Sequence, residues 1–291
     1  MNGKNLNHSK IMVVFAIRKR RVLFLYYNQI KNKGVYKMQK NELNYYERLG
    51  NWDFSDIKCK TEKETNWDFY EKIRENTTNT SLCLDIGTGG GEKVLTRYPD
   101  VGMVIATDFS REMIKTAKEN QKQHPEKKVK FTWMDSLDMK FPAETFDLVS
   151  ARHTVINAKQ IYECLEKDGV LIIEGIDKND CIEIKDIFKR GQAYKDKISI
   201  ADRDYEDLVN AGFSKIERVT IIENEYYETE DDLMALLLKV PILDDFSELE
   251  NEGFVHKTVI EKELFDEYVS KYKTEKGILL RRVLYGIVAR K

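Results

Sequence analysis

From residue 80 onward, short apolar runs alternate with amphipathic stretches, and this alternation narrows the folds open to the chain. The apolar runs have the length of buried strands, and the stretches between them have the spacing of helices. Strands that alternate with helices pair into a parallel sheet that the helices cover. The sequence predicts seven strands, at residues 81–86, 103–107, 129–134, 146–151, 170–174, 215–222 and 279–289.

Four helices are predicted between these strands, at residues 91–98, 111–123, 158–167 and 201–211. Gly212 follows the last helix in the position of a C-cap. Residues 41–76 and 226–274 fall outside the alternation and are largely helical in pattern. Because open α/β sheets bind ligands at the carboxyl ends of their strands, both stretches are placed to cover that edge as lids.

The predicted fold is an α/β fold with a seven-stranded, mostly parallel, doubly wound sheet, an N-terminal helical lid and a helical insertion before the last strand. At 291 residues the chain suits one large domain with such additions. The predicted divisions are a basic extension at 1–37, the first lid at 38–77, the sheet core at 78–225, the inserted lid at 226–275 and the last strand at 276–291.

Charge is distributed unevenly along the chain. Residues 1–37 contain nine Lys and Arg residues and no acid, although the whole chain holds 48 basic and 50 acidic residues. The remaining body therefore has a net charge of about −11. Such an acidic body is not typical of proteins that follow a phosphate backbone, because each phosphate contact needs a Lys or Arg. The basic segment is either a loosely packed extension or lies upstream of a functional start at Met38, and it is predicted to be dispensable.

The basic segment is not predicted to enter a membrane. Its apolar runs, residues 11–17 and 22–27, are separated by four consecutive basic residues. Neither run approaches the roughly 20 residues of a membrane span, and an export signal carries its charges before the apolar run rather than after it. Four separated cysteines without a CxxC pair indicate neither a zinc site nor a disulfide framework. A reducing, cytoplasmic location is therefore predicted.

A glycine-rich turn follows the first predicted strand, with the sequence Asp85-Ile86-Gly87-Thr88-Gly89-Gly90-Gly91. Glycine allows the backbone to turn sharply and to approach a ligand closely, because no Cβ intrudes. A dinucleotide fingerprint requires GxGxxG, whereas the sixth position here is Glu92. A carboxylate at that position faces a pyrophosphate poorly but is compatible with a cationic ligand.

This turn resembles the first motif of the class I, Rossmann-like, S-adenosylmethionine-dependent methyltransferases, in which an acid precedes GxGxG. The resemblance continues in register over roughly residues 80–176. The second strand ends in Asp108-Phe109-Ser110-Arg111-Glu112-Met113, like the family's DxSxxM, and the third ends in Trp133-Met134-Asp135-Ser136. The fourth contains Phe146-Asp147-Leu148-Val149, and the fifth follows Leu165-Glu166-Lys167-Asp168-Gly169, which is close to the family's LKPGG but lacks the proline and one glycine.

The resemblance implies that S-adenosylmethionine is the cofactor. It also implies that Asp108 binds both ribose hydroxyls, that Phe109 packs on the adenine and that Asp135 contacts the adenine amino group. Each acid has a structural alternative, as a turn cap at Asp85, a helix N-cap at Asp108 or a strand terminus at Asp135. The residues predicted to bind the cofactor are Asp85, Gly87, Thr88, Gly89, Gly91, Asp108, Phe109, Met113, Asp135, Ser136, Ala151 and Arg152.

His153 is the predicted catalytic residue. Methyl transfer mainly requires alignment of nucleophile, methyl group and sulfur without water, and a general base is needed only where the nucleophile must lose a proton. His153 follows the fourth strand, beside the expected position of the methyl group, and a pKa near the ordinary value of about 6.5 suits a base. The alternative is that His153 only packs locally. Arg152 either binds an anionic group of the acceptor or is solvated.

The predicted acceptor is a small molecule, methylated on O, N or C without a metal ion, and RNA is the alternative. The chain has neither the NPPY-like tetrad of adenine and glutamine N-methyltransferases nor a Pro-Cys nucleophile. The Arg-His pair and residues 238–246 are similar to a little-described bacterial branch of the family. No membrane partner is predicted, and the oligomeric state is left open. Lid aromatics predicted to contact the acceptor, with helix packing as the alternative, are Tyr45, Tyr46, Trp67, Tyr226 and Tyr227.

Overall fold

The computed structural model describes residues 12–17, 20–25, 54–244 and 260–291. Near the N-terminus, strands β1 (Met12–Ile17) and β2 (Arg20–Leu25) pair as an antiparallel hairpin with Met12 opposite Leu25. This hairpin has no counterpart among the elements predicted from the sequence. The predicted lid residues Tyr45 and Tyr46 lie outside the described residues.

A mixed sheet of nine strands forms the centre of the molecule. Its strands are β3 (Cys59–Lys63), β4 (Leu82–Ile86), β5 (Met103–Asp108), β6 (Val129–Trp133), β7 (Phe146–Arg152), β8 (Leu165–Ile176), β9 (Ser214–Tyr227), β10 (Lys273–Thr274) and β11 (Gly277–Arg290). Eight of them follow the order β3-β9-β11-β8-β7-β4-β5-β6, and β10 pairs with β11. Strands β4 to β8 are parallel to one another, whereas β11 is antiparallel to both β8 and β9.

All seven predicted strands are present, but the predicted count of seven is wrong. The additional strands are β3 and β10, and β3 lies within a stretch predicted to be largely helical. Four of the five residues of β3 are exposed, so it lacks the apolar run by which the other strands were predicted. Its backbone is held by antiparallel pairing with β9, from Cys59 opposite Tyr227 to Lys63 opposite Glu223.

Eight helices occur in the described part of the chain: α1 (Phe69–Glu75), α2 (Glu92–Arg97), α3 (Arg111–Gln121), α4 (Ala158–Cys164), α5 (Ile182–Phe188), α6 (Ile200–Ala211), α7 (Glu230–Lys239) and α8 (Lys262–Tyr272). Gly212 is the C-cap of α6 with φ 103°, as predicted. Helix α4 ends earlier than predicted because Leu165 already pairs with Phe146 in the sheet.

The helices cover both faces of the sheet. On one face, Ile161 of α4 and Leu208 of α6 are fully buried in one core cluster. On the other face, Ile73 of α1, Leu95 of α2 and Ile114 of α3 are buried in a second cluster. A doubly wound sheet needs apolar strand residues on both faces for this packing, which is why its central strands have continuous apolar sequences.

The two long antiparallel strands extend beyond the carboxyl edge of the parallel strands. Ile176, the last residue of β8, pairs with Leu284, so residues 277–283 of β11 run past that edge together with the end of β9. We call this part the β9–β11 extension. Helices α5, α7 and α8 pack beside it, and their apolar side chains form a third core cluster that includes Ile184, Leu236 and Phe265.

The prediction of a helical stretch from residue 226 is wrong at its first residues. Tyr226 and Tyr227, assigned to a helical lid, are the last residues of β9 and pair with Leu279 and Ile278. Two helices, α7 and α8, do lie between β9 and β10, although residues 245–259 between them are outside the described residues. No helix in the described ranges has the length and apolarity needed to cross a bilayer.

Candidate active site

The glycine-rich turn links the carboxyl ends of β4 and β5. The backbone N–H groups of Gly87 and Thr88 both donate to the Thr107 carbonyl at 2.9 Å. Gly87 and Gly89 have φ values of 75° and 58°, in the left-handed region that favours glycine. Gly91 (φ 78°) also leaves space for a neighbouring side chain, because a Cβ there would lie 2.7 Å from the Phe131 ring. Gly91 therefore allows α2 to pack closely on the sheet.

Asp108 joins the end of β5 to this turn. Its Oδ2 accepts a hydrogen bond from the backbone N–H of Gly89 at 2.8 Å, and its Oδ1 accepts one from Ser110 at the same distance. Burial raises the pKa of Asp108, while these two backbone donors oppose the increase. The N-cap of α3 is not Asp108 but Ser110, whose hydroxyl accepts from the N–H of Met113.

Asp85 lies in a buried hydrogen-bond network at the end of β4. The Ser150 hydroxyl donates to Asp85 Oδ1 at 2.6 Å, and the Tyr98 hydroxyl lies 3.1 Å from the Ser150 hydroxyl. Burial raises the pKa of Asp85 to about 7, although the bond from Ser150 opposes this. Beside it, the buried Oγ1 of Thr88 has no hydrogen-bond partner among the described residues. A buried polar atom of this kind normally has a partner, so Thr88 fits a polar ligand in the turn.

Two aromatic rings stand at the ends of β5 and β6. The Phe109 and Trp133 ring centroids are 6.1 Å apart and tilted by 40°, and the guanidinium of Arg111 lies 4.3 Å from the Trp133 centroid. The neighbouring Asp135 uses Oδ1 to accept from the N–H of Leu137 at 2.9 Å. The N–H of Met134 donates to the Asp108 carbonyl at 3.0 Å. The predicted sites at these two strand ends are thus brought together.

Arg152, His153 and Glu174 form a charged group at the ends of β7 and β8. Arg152 Nε lies 2.6 Å from Glu174 Oε1, and His153 Nε2 lies 3.3 Å from the same oxygen. Burial alone would raise the pKa of Glu174, but His153 and Arg152 lower it to about 2. Partial burial and the charge of Arg152 hold the pKa of His153 below its ordinary value. Glu174 was not predicted from the sequence, although it is the one acid in the apolar run of residues 170–174.

A second buried ion-pair network lies in the β9–β11 extension. Arg282 donates through Nε and Nη2 to the two carboxylate oxygens of Asp180, at 2.9 and 3.0 Å. Its Nη1 lies 3.2 Å from Glu225 Oε1, and the Tyr227 hydroxyl donates to the other oxygen of Glu225. The bidentate geometry satisfies a guanidinium that is largely shielded from solvent, beside a buried Asp180. This network could not be predicted from the sequence, because its members are far apart in the chain.

Residues 83–169 match a family model described as a methyltransferase domain. This segment spans the glycine-rich turn, Asp108 and His153. The chain contains a methyltransferase domain, and the motifs of that domain resemble those of the class I S-adenosylmethionine-dependent methyltransferases. Its cofactor is S-adenosylmethionine, and the polar turn with the unpartnered Thr88 hydroxyl fits that ligand. No curated protein sequence matches the chain.

Solved structures show limited similarity to this methyltransferase. A protein of Bacillus halodurans, crystallised as a candidate methyltransferase, is 18% identical over 76% of this chain and 98% of its own, with a TM-score of 0.48. YcgJ of Bacillus subtilis is 15% identical over 76% and 96% of the two chains, also at 0.48. The phosphoethanolamine N-methyltransferase 2 of Haemonchus contortus, solved with S-adenosylmethionine, is 17% identical over 93% of this chain and 62% of its own, at 0.47.

Other predicted residues of the methyltransferase lie within its core. The Trp67 ring packs on Gly286, where a Cβ would lie 2.7 Å from it. Tyr227 is buried in the third core cluster, whereas Tyr226, its neighbour in β9, is partly exposed and has Lys276 Nζ 5.2 Å from its ring centroid. Of the residues predicted to contact the cofactor, Met113, Ser136 and Ala151 are buried, as is Asp85.

The described residues contain no group of His, Cys, Asp and Glu with the arrangement of a metal site. All four cysteines are free, and Cys83, Cys164 and Cys181 are buried. Metal independence itself stays a prediction.

Proposed function

We propose that this methyltransferase transfers a methyl group to O, N or C of a small-molecule acceptor, without a metal ion. The observation that carries the proposal is the β9–β11 extension, which rises past the carboxyl edge of the sheet with α5, α7 and α8 packed beside it. A wall beside the reacting end of a cofactor limits the size of the acceptor and excludes water. The acidic body, at about −11, also disfavours a polyanionic acceptor.

In this proposal the cofactor lies along the ends of β4, β5 and β6. Asp108 accepts hydrogen bonds from the ribose hydroxyls, and the adenine lies beside Phe109 with Asp135 near its amino group. Two oxygens of Asp108 already accept backbone N–H groups. A carboxylate has about four acceptor positions, so this leaves capacity for both hydroxyls. Asp85, Thr88 and the backbone of Gly87 and Gly89 hold the methionine part.

The end of β7 supplies the catalytic side chains. The cofactor brings a methyl group on a sulfonium, a good leaving group. His153, whose side chain is 28% exposed, takes the proton of an O–H or N–H acceptor. Arg152 contacts Glu174 through Nε, and among the described residues its two terminal nitrogens have no hydrogen-bond partner. We propose that they bind an anionic group of the acceptor or the carboxylate of the cofactor.

The test uses cofactor with a radioactive methyl group, incubated with fractions of a cell extract. We expect label in a small-molecule fraction, and label in RNA would replace this proposal with the alternative. With the acceptor in hand, His153→Asn should lower turnover roughly 10²- to 10⁴-fold while cofactor affinity stays near wild type. The matched control is His124→Asn, in the turn after α3, which should keep full turnover. Equal turnover of His153→Asn and wild type would leave His153 a packing role only.

RNA remains a second candidate because of one observation. All nine basic residues before residue 38 lack an acidic neighbour in that segment, and a basic arm of this kind can bind a phosphate backbone while the body supplies the chemistry.

A further inference from the structure

Glu174 is an acidic residue at the end of an apolar stretch of strand β8. It follows Val170, Leu171, Ile172 and Ile173, all almost fully buried, and is itself only 9% exposed. A buried carboxylate is costly unless charged or hydrogen-bonded partners compensate it. Its partners both lie at the end of β7, the strand that carries the proposed base. The residue is therefore placed to act on that strand end rather than to support the core.

Three contacts join Glu174 to Arg152 and His153, which are consecutive residues at the end of β7. The Glu174 carbonyl accepts from the N–H of His153 at 2.8 Å. Its Oε1 lies 2.6 Å from Arg152 Nε and 3.3 Å from His153 Nε2. Backbone and side chain of one residue thus hold both the position and the ring of His153.

The backbone of His153 is strained in a way that this pairing explains. His153 has φ 51°, in the left-handed region that non-glycine residues seldom adopt. Such conformations persist only where surrounding contacts hold them, and they are common at active sites. Strand β7 ends just before His153, and the imidazole ring of His153 is directed toward Glu174 on the neighbouring strand β8.

We propose that Glu174 is a positioning residue that accepts the Nε2–H of His153 and so keeps its Nδ1 unprotonated, as the atom that takes the proton of the acceptor. This inference rests on the proposed role of His153 as the base. A ring nitrogen that donates to a carboxylate fixes the tautomer of a neutral histidine. In the transfer step, the acceptor's lone pair bonds to the methyl carbon while the carbon–sulfur bond breaks and its electrons go to sulfur. The acceptor's proton goes to Nδ1, and Glu174 stabilises the resulting imidazolium.

The charged groups that face His153 act on its pKa in opposite directions. Glu174 on β8 raises it, whereas Arg152 on β7 and Arg282 on β11 lower it. Neutralising Glu174 and neutralising Arg152 should therefore move the His153 pKa in opposite directions. This pattern follows from charge alone, so the tautomer of the neutral His153 ring is the measurement that distinguishes a positioning role of Glu174.

The test is ¹⁵N NMR of the cofactor-free, full-length protein labelled at histidine, with the His153 signals assigned through His153→Asn. In wild type, neutral His153 should carry its proton on Nε2. Glu174→Gln should lower the His153 pKa by at least half a unit, Arg152→Gln should raise it, and the exposed control Glu217→Gln should leave it unchanged. In Glu174→Leu, which removes the acceptor, the tautomers should become mixed. Should Glu174→Leu fail to fold, the nearly isosteric Glu174→Gln still decides the outcome.

Activity gives a second readout once an acceptor is known. Glu174→Gln should lower kcat at least tenfold and shift the acidic limb of the kcat profile to lower pH. A proton on Nδ1 in wild type, or an unchanged His153 pKa in Glu174→Gln, would overturn the inference. The NMR experiment needs neither cofactor nor acceptor and tests the role of Glu174. The turnover of His153→Asn tests the proposed base, so the two ideas can fail separately.

Discussion

Ser150 donates its hydroxyl hydrogen to Asp85 across two neighbouring parallel strands, at 2.6 Å, and both side chains are buried. The hydrogen bond from Ser150 does not offset the burial of the carboxyl, whose pKa is raised to about 7. An ionised Asp85 in the cofactor-free protein is therefore costly. The cationic groups of S-adenosylmethionine would relieve that cost on binding.

The pH dependence of stability tests this relationship. Because the pKa of Asp85 is higher in the folded than in the unfolded chain, its contribution is full below about pH 4 and is lost as the pH rises through about 7. The Asn side chain of Asp85→Asn cannot ionise, so its own effect on the free energy of unfolding is the same at every pH. The free energy of unfolding of the variant relative to wild type should rise by about 2 kcal/mol between pH 5 and pH 8. Urea unfolding without cofactor measures it.

The control for this measurement is Asp138→Asn, which changes an exposed carboxyl in the loop after β6. Its unfolding free energy relative to wild type should not grow over the same pH range. A constant difference for Asp85→Asn as well would mean that the buried carboxyl has no raised pKa in the folded protein.

Asp108 is predicted to dominate cofactor affinity. Asp108→Ala should weaken S-adenosylmethionine binding at least tenfold, because charge-assisted hydrogen bonds contribute about 1.5 to 3 kcal/mol each. The same change also frees the N–H groups of Gly89 and Ser110. Asp108→Asn retains one acceptor oxygen and separates the two effects, so its loss of affinity should be smaller. Calorimetric titration of both variants measures this, and unchanged affinity of Asp108→Ala would contradict the assignment.

Gly91 is predicted to matter for the packing of α2 on the sheet. An alanine Cβ would lie 2.7 Å from the Phe131 ring, on a backbone with φ 78°. Overpacking and a left-handed backbone together should cost about 1 to 3 kcal/mol of stability. Gly91→Ala should therefore lower the urea midpoint. In a double-mutant cycle, adding Phe131→Leu should recover part of the stability lost in Gly91→Ala. If the stability losses of the two substitutions simply add, the Phe131 ring does not limit this position.

The sequence predicts the central strands well because each is buried on both faces and so consists almost wholly of apolar residues. Strand β3 could not be predicted in this way, since Cys59-Lys60-Thr61-Glu62-Lys63 has no apolar period and depends on β9 for its pairing. The length of β9 was underestimated for a similar reason. Beyond Ile222 its residues are three polar side chains followed by Tyr226 and Tyr227, without an apolar period, and pairing with β11 and β3 holds them in a strand.

The positions of the candidate site residues could be predicted where each directly follows a predicted strand. The turn at Gly87, the end of β5 at Asp108 and the end of β7 at His153 each follow a recognisable apolar run. Glu174 could not be assigned a role, because its position opposite Arg152 depends on the register between β7 and β8. The packing of the Trp67 ring could not be predicted, since the sequence does not reveal that Gly286 provides the space for it, and its contact with the acceptor stays a prediction.

The last prediction concerns the basic segment and the class of acceptor. A chain beginning at Met38 lacks all nine basic residues of the N-terminal segment and retains the body with its net charge of about −11. We expect it to unfold cooperatively and to bind S-adenosylmethionine as the full chain does, because none of the residues proposed to bind the cofactor precedes residue 85. Calorimetry and urea unfolding of both chains measure this. Loss of either property would show that the segment belongs to the fold.

The same pair of chains separates the two acceptor classes. An acidic body repels a polyanion, so the chain beginning at Met38 should bind mixed cellular RNA no more tightly than micromolar at near-physiological salt. Binding by the full chain, if carried by Arg18, Lys19, Arg20 and Arg21 and their neighbours, should weaken steeply with salt because condensed counterions are released from the RNA on binding. Filter binding at two salt concentrations measures both effects. Tight and salt-resistant binding by the shortened chain would locate an RNA site on the body and favour RNA as the acceptor.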